Sequence, residues 1–325
     1  MEKLLEVKNL ITSFRTKDGT YPAVNGVSFE LNSGETLAIV GESGCGKSVT
    51  SLSIMKLLPD RISEIAPESE ILYKGKDISK YTNKEMSRLR GNEISMVFQD
   101  SLTSLNPTMT IMSQMIEPFM VHQGMKKKEA MEHVVEMLRK VGIPNPEVRA
   151  KQYPHELSGG MRQRVIIAMA LSCNPAVLIC DEPTTALDVT IQAQILKMIN
   201  ELKKDLNTGV ILITHDMGVV AEMADRIMVM YGGNAVEEAD CYTVFTDPKH
   251  PYTKGLLASI PKINDDSRLS TIEGSVPSLK NMPKGCRFCD RCTHCTDRCR
   301  KENPPYYKVG NSKVRCFLYE NAERG

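Results

Sequence analysis

A chain of 325 residues with 41% hydrophobic content is long enough for one large domain plus an extension, and a formal net charge of +1 gives no basis for electrostatic capture of nucleic acid. No apolar run approaches the roughly 18 residues that span a bilayer; the longest notable one, 165–173, reads as a buried helix. The N-terminal Met-Glu-Lys-Leu-Leu-Glu lacks the layout of a secretory signal.

In chain order, residues 5–10, 23–31 and 36–40 read as short strands separated by turns. The third leads into Gly41-Glu42-Ser43-Gly44-Cys45-Gly46-Lys47-Ser48, which fits G-x-x-x-x-G-K-[ST]. Its glycines let the backbone curl so that N–H groups face phosphate oxygens. Lys47 adds a point charge for β- and γ-phosphates, and Ser48 offers a hydroxyl to Mg²⁺. A helical pattern over 49–58 puts those phosphates at a helix N-terminus. A strand pattern over 94–98 precedes Gln99, and Asn106-Pro107 signals a turn. Ala130, Val134, Met137, Leu138 and Val141 recur at a helical period across 127–141. Leu157-Ser158-Gly159-Gly160-Met161-Arg162-Gln163 opens a helix predicted over 161–173; its serine, N–H groups and dipole suit a γ-phosphate. The apolar strand 177–180 ends in Asp181-Glu182, where ligands meet an open α/β sheet. Asp181 is placed to hold Mg²⁺ through water, and Glu182 to orient and deprotonate an attacking water. A strand over 210–214 precedes His215, 33 residues past Glu182.

The 157–163 segment, together with the phosphate loop and Asp181-Glu182, resembles the signature of ATP-binding-cassette (ABC) ATPases. The resemblance implies an α/β P-loop cassette: a mixed-sheet ATPase lobe from 1–100 and 171–235, a helical subdomain from 101–170, and a C-terminal extension over 236–325. It implies that Gln99 contacts Mg²⁺ or water and senses the γ-phosphate, that Ala186-Leu187-Asp188 crosses a dimer interface, and that His215 touches the γ-phosphate. Phe14 aligns with the adenine-stacking aromatic, with Tyr21 as the alternative because residues 16–20 blur the alignment. In the family the signature, here Ser158, Gly159 and Gly160, closes in trans on a partner's ATP. One copy of each motif therefore implies a partner ATPase.

His250-Pro251-Tyr252-Thr253, then Glu273-Gly274-Ser275-Val276-Pro277 and Gly285-Cys286, are similar to the extension of oligopeptide and dipeptide permease ATPases, as are Gly41–Gly44 and Ser104-Leu105-Asn106-Pro107. That narrower resemblance covers nearly the whole chain. It implies an ATPase on the cytoplasmic face of the membrane that powers peptide import, working with a paralogous ATPase, two transmembrane permease subunits and an extracytoplasmic solute-binding protein. A nickel importer shares the pattern. A soluble cassette ATPase of iron–sulfur assembly or DNA repair is the alternative of another class, against which stand His250–Thr253 and the absence of sustained heptads.

Six of the ten cysteines fall in Cys286-x2-Cys289-x2-Cys292-x2-Cys295-x3-Cys299-x16-Cys316, a clustering that points to metal before disulfide in a cytosolic chain. Cys289–Cys299 fits the bacterial ferredoxin run, with Arg300 where proline is expected. The permease ATPases instead imply Cys286, Cys292, Cys299 and Cys316 as ligands of a [4Fe–4S] cluster, leaving Cys289 and Cys295 extra; four-thiolate zinc is the alternative. The cluster's distance in sequence from every ATP motif argues against a part in hydrolysis. Cys45, Cys173, Cys180 and Cys241 read as small hydrophobes.

Overall fold

The computed structural model describes residues 2–99, 104–185, 187–260 and 272–324. The chain divides into two compact units, one of Met1–Leu4, Leu31–Glu35 and Lys80–Leu212, the other of Leu5–Glu30, Thr36–Ser79 and Ile213–Gly325.

In the first unit, strands Ile94–Val97 and Val177–Asp181 pair in parallel, Ile94 opposite Val177 and Val97 opposite Cys180. All five residues of Val177–Asp181 are buried, as a continuous apolar run in a parallel strand requires. Gly209–Ile213 neighbours that strand on its other side. Helices Asn83–Leu89, Ile111–His122, Lys127–Lys140, Pro146–Arg149, Gly159–Leu171 and Val189–Leu206 also belong to the unit. The period read over 127–141 holds: Ala130, Val134, Met137 and Leu138 are buried. Residues 111–122 fall in the 101–170 stretch expected to be helical, although Pro118 interrupts their local signal. The helix forms nonetheless, with Thr110 capping it by accepting the Ser113 N–H and Ile111, Met115 and Phe119 buried along one face.

In the second unit, Thr36–Val40 pairs in parallel with Arg226–Tyr231, and Asn234–Asp240 continues antiparallel. Three strands of the extension, Ser312–Val314, Tyr307–Val309 and Glu323–Arg324, extend this sheet further, each antiparallel to its neighbour. A second sheet contains Gly19–Asn32, Lys3–Thr16, Glu70–Tyr73 and Lys76–Asp77, with Ser63–Ile65 also on Lys3–Thr16. Ala38, Val40, Val229 and Tyr231 from the sheet share one core with Tyr252 and Phe288 from the extension. The extension therefore uses the core of the sheet that carries the phosphate loop, rather than a small core of its own.

Candidate active site and cysteine pocket

The phosphate loop lies in the second unit between Thr36–Val40 and helix Lys47–Ile54. Its turn demands glycine at two places. Gly41 has φ 149° and a Cβ there would lie 2.2 Å from the Met230 carbonyl oxygen; Gly46 has φ 102° and a Cβ would lie 2.7 Å from the Ala23 carbonyl oxygen. Lys47 is buried, and its Nζ donates to the Gly41 and Glu42 carbonyls at 2.7 and 3.0 Å. Ser43 and Gly44 lie exposed at the loop's tip, and Ser48 sits in the first turn of the helix, half-buried. Cys45 is buried, and desolvation raises its thiol pKa despite nearby Lys47. His215 is exposed in the same unit, just before Asp216, whose carboxylate caps helix Met217–Met223. Phe14 is half-buried in strand Lys3–Thr16 opposite Ser63; Tyr21 donates its hydroxyl to the Asp18 carbonyl at 2.9 Å.

The carboxylate pair lies in the first unit. Asp181 is buried at the strand end, and Glu182 follows with φ 48°, a left-handed conformation unusual for a non-glycine residue. Glu182 Oε2 accepts from Gln99 Nε2 and from Thr185 Oγ1, each at 2.9 Å. Thus two residues 83 apart in sequence are brought into contact. Ser158 is the N-cap of Gly159–Leu171, accepting the Met161 N–H at 3.3 Å, so its helix begins two residues earlier than the sequence pattern suggested. Gly160 faces helix Val189–Leu206, where a Cβ would lie 2.8 Å from Ile191 Cγ2. Gln163, given no role from sequence, is buried and donates to the Pro183 carbonyl at 2.6 Å, tying this helix to the segment after Glu182. Of Ala186-Leu187-Asp188, Ala186 lies outside the described residues; Asp188 caps Val189–Leu206 by accepting the Ile191 N–H.

In the second unit, Cys286, Cys289, Cys292, Cys299 and Cys316 line one cavity of about 120 Å³, with His250, Phe288 and Phe317 among its walls; Cys295 is not among them. Burial, assisted by neighbouring thiols, pushes the Cys286 thiol up to about 12 and Cys316 to about 11, while burial and Asp290 push Cys289 to about 11. Soft thiolate donors suit iron or zinc. Among the described residues, however, no three His, Cys, Asp or Glu side chains stand together as a set able to hold a metal ion. The donor chemistry thus fits a thiolate-bound metal and the side-chain spacing does not. In the sequence His250 stands out only as part of the His250–Thr253 resemblance. It is fully buried, its Nδ1 accepts the Tyr252 N–H at 3.1 Å, and burial pushes its pKa down to about 3.

Residues 24–185 match the ABC transporter family, and residues 236–299 match the C-terminal region of oligopeptide/dipeptide transporters. The chain is 52% identical over 323 residues to the oligopeptide transport ATP-binding protein AppD of Bacillus subtilis, covering 98% of each chain. It is 51% identical to the dipeptide transport ATP-binding protein DppD of the same organism, covering 98% of this chain and 96% of that one. Among solved structures, a dimeric bacterial ABC transporter cassette is similar with a TM-score of 0.65 at 27% identity, over 73% of this chain and 99% of that one.

Proposed function

Because the chain belongs to the ATP-binding proteins of ABC transporters of the oligopeptide/dipeptide type, we propose that it binds and hydrolyses Mg-ATP to power the import of di- and oligopeptides. The observation that carries this reading is sequence identity above one half that runs through both the cassette and the extension.

In this reading Lys47 leaves the Gly41 and Glu42 carbonyls for the β- and γ-phosphates, and the N–H groups opening Lys47–Ile54 face the same anion. Ser48, Gln99 and Asp181 would hold Mg²⁺, which supplies charge neutralisation of the phosphates. Glu182, kept in place by Gln99 and Thr185, accepts the proton of the attacking water, and His215 touches the γ-phosphate. Ser158, Gly159 and Gly160 serve the ATP of a partner, a paralogous ATPase. Phe14 stacks on adenine, with Tyr21 as the other candidate. No described helix is long and apolar enough to cross a membrane. Two permease subunits therefore supply the membrane path, this chain docks on their cytoplasmic side, and a solute-binding protein delivers peptide from outside.

Reconstitution with the permease subunits and labelled dipeptide, longer peptide and Ni²⁺ tests the proposal. ATP-dependent peptide uptake supports it. Uptake of Ni²⁺ alone overturns the cargo, and co-purification with cluster-scaffold proteins without transport overturns the transport class.

In this reading Cys286, Cys292, Cys299 and Cys316 would hold a [4Fe–4S] cluster, with zinc as the alternative, on the strength of their thiolate chemistry and not of their spacing. The support is that all four line one cavity, which Cys289 shares and Cys295 does not. Anaerobically purified protein should contain about four iron and four sulfide per chain, lost on Ser replacement of any of the four and retained on replacement of Cys289 or Cys295. One equivalent of zinc without colour overturns the assignment.

A further inference from the structure

Two side chains of the extension close on Glu42, the second residue of the phosphate loop, although neither belongs to an ATP-site motif. Tyr252 is fully buried, and its hydroxyl oxygen accepts the Glu42 backbone N–H at 2.9 Å across 210 residues of sequence. Arg291 donates through Nη1 to Glu42 Oε2 at 2.8 Å, its side chain only 7% exposed.

Both anchors are themselves fixed. The Tyr252 ring meets Tyr231 edge-on with centroids 4.7 Å apart and lies 5.4 Å from Phe288. The Arg291 guanidinium also donates to the carbonyls of Glu273 at 2.9 Å and Ile272 at 3.1 Å, and lies over the Tyr231 ring. Three of the eight residues in the loop they grip are glycines at positive φ, and a Cβ at Gly44 would meet open space. Such a segment loses much conformational freedom when it closes on a ligand. The Gly41–Glu42 peptide is held at its N–H by Tyr252 and at its carbonyl by Lys47 Nζ, so its orientation sets where Lys47 starts.

We propose that Tyr252 and Arg291 are positioning residues for ATP, holding the Gly41–Glu42 backbone so that Lys47 and the following N–H groups are preset for the phosphates. This rests on residues 41–48 being the ATP loop. Because a preset loop favours bound ATP and its transition state alike, its loss should appear in KM rather than kcat.

The test is ATP affinity of the full chain, read with a fluorescent ATP analogue, and KM and kcat in the assembled transporter. Tyr252→Phe keeps the ring and removes the acceptor; Arg291→Gln removes the ion pair. Each should weaken binding about tenfold and raise KM similarly at unchanged kcat. Glu42→Gln with Arg291→Gln should cost no more than Arg291→Gln alone, since both remove one interaction; additive losses overturn the pairing. Lys47→Ala that keeps wild-type affinity overturns the loop reading itself. Lys47→Ala that loses ATP while Tyr252→Phe and Arg291→Gln bind like wild type overturns the positioning role. If Arg291→Gln fails to fold, Glu42→Gln reads the same ion pair without disturbing the extension, and wild-type affinity there and in Tyr252→Phe overturns the proposal.

Discussion

Glu182 combines a left-handed backbone with a carboxylate that accepts two hydrogen bonds. Strain of that kind, on the order of 1–3 kcal/mol, persists where surrounding structure overdetermines the position. An amide in its place cannot take a proton from water. Glu182→Gln should keep ATP binding and lower turnover by at least about a hundredfold; near-normal steady-state hydrolysis in the assembled complex would remove Glu182 from the base role. His250 poses a different residue-scale question. Its pKa is depressed to about 3, so the folded chain keeps it neutral where the unfolded chain binds a proton. A depressed folded pKa means stability is complete above the unfolded value near 6.5 and declines as pH falls below it. Glu237, pushed upward by burial, acts in the opposite sense, so the difference between wild type and His250→Asn is the quantity to read. Asn retains an acceptor for the Tyr252 N–H. The stability gap should narrow by about 2 kcal/mol between pH 7 and pH 5, measured by urea unfolding; a gap independent of pH would mean that His250 is not neutral when folded.

At the scale of elements, the Ser158-Gly159-Gly160 run was legible as a helix start and as an anion-binding segment, yet its second glycine has a packing reason the sequence could not show. Gly160 allows helix Gly159–Leu171 to approach Val189–Leu206 at Ile191, whose β-branched side chain is stiff. Gly160→Ala should cost about 1–2 kcal/mol through overpacking, and Ile191→Ala should relieve most of it in the double variant. Equal losses with and without Ile191 would show that the crowding is not at this contact. Strand Val177–Asp181 and helix Lys127–Lys140 were readable because a buried parallel strand leaves a continuous apolar run and an amphipathic helix a periodic one. Helix Ile111–His122 left none that survives an internal proline, and its identity came from packing and from the Thr110 cap.

For the molecule as a whole, the extension is structurally continuous with the sheet that carries the phosphate loop. Tyr252 and Phe288 fill the core around Tyr231, and Ser312–Val314 covers the edge of Asn234–Asp240. A chain ending at Asp240 would lose two buried aromatics, each worth about 3–5 kcal/mol on truncation, and expose a strand edge. Against a typical total of about 5–15 kcal/mol, it should fail to unfold cooperatively in calorimetry. A truncated chain with a sharp transition and wild-type ATP affinity would make the extension an independent appendage.

The sequence alone determined the phosphate loop, the Asp181-Glu182 strand end, the Ser158 helix start and the family resemblance, because each is written in neighbouring residues whose chemistry and spacing act locally. Sequence distance separates the extension from the ATP motifs, and only tertiary structure shows where the two touch. Arg291 reaches Glu42 across 249 residues, and Tyr252 reaches the same peptide. Tertiary structure likewise put Cys289 into the cysteine cavity and left Cys295 off its walls, which spacing could not do. Both outcomes depend on how distant segments pack around the Tyr231–Phe288 core, and local residue patterns carry no record of which remote side chain fills a given space.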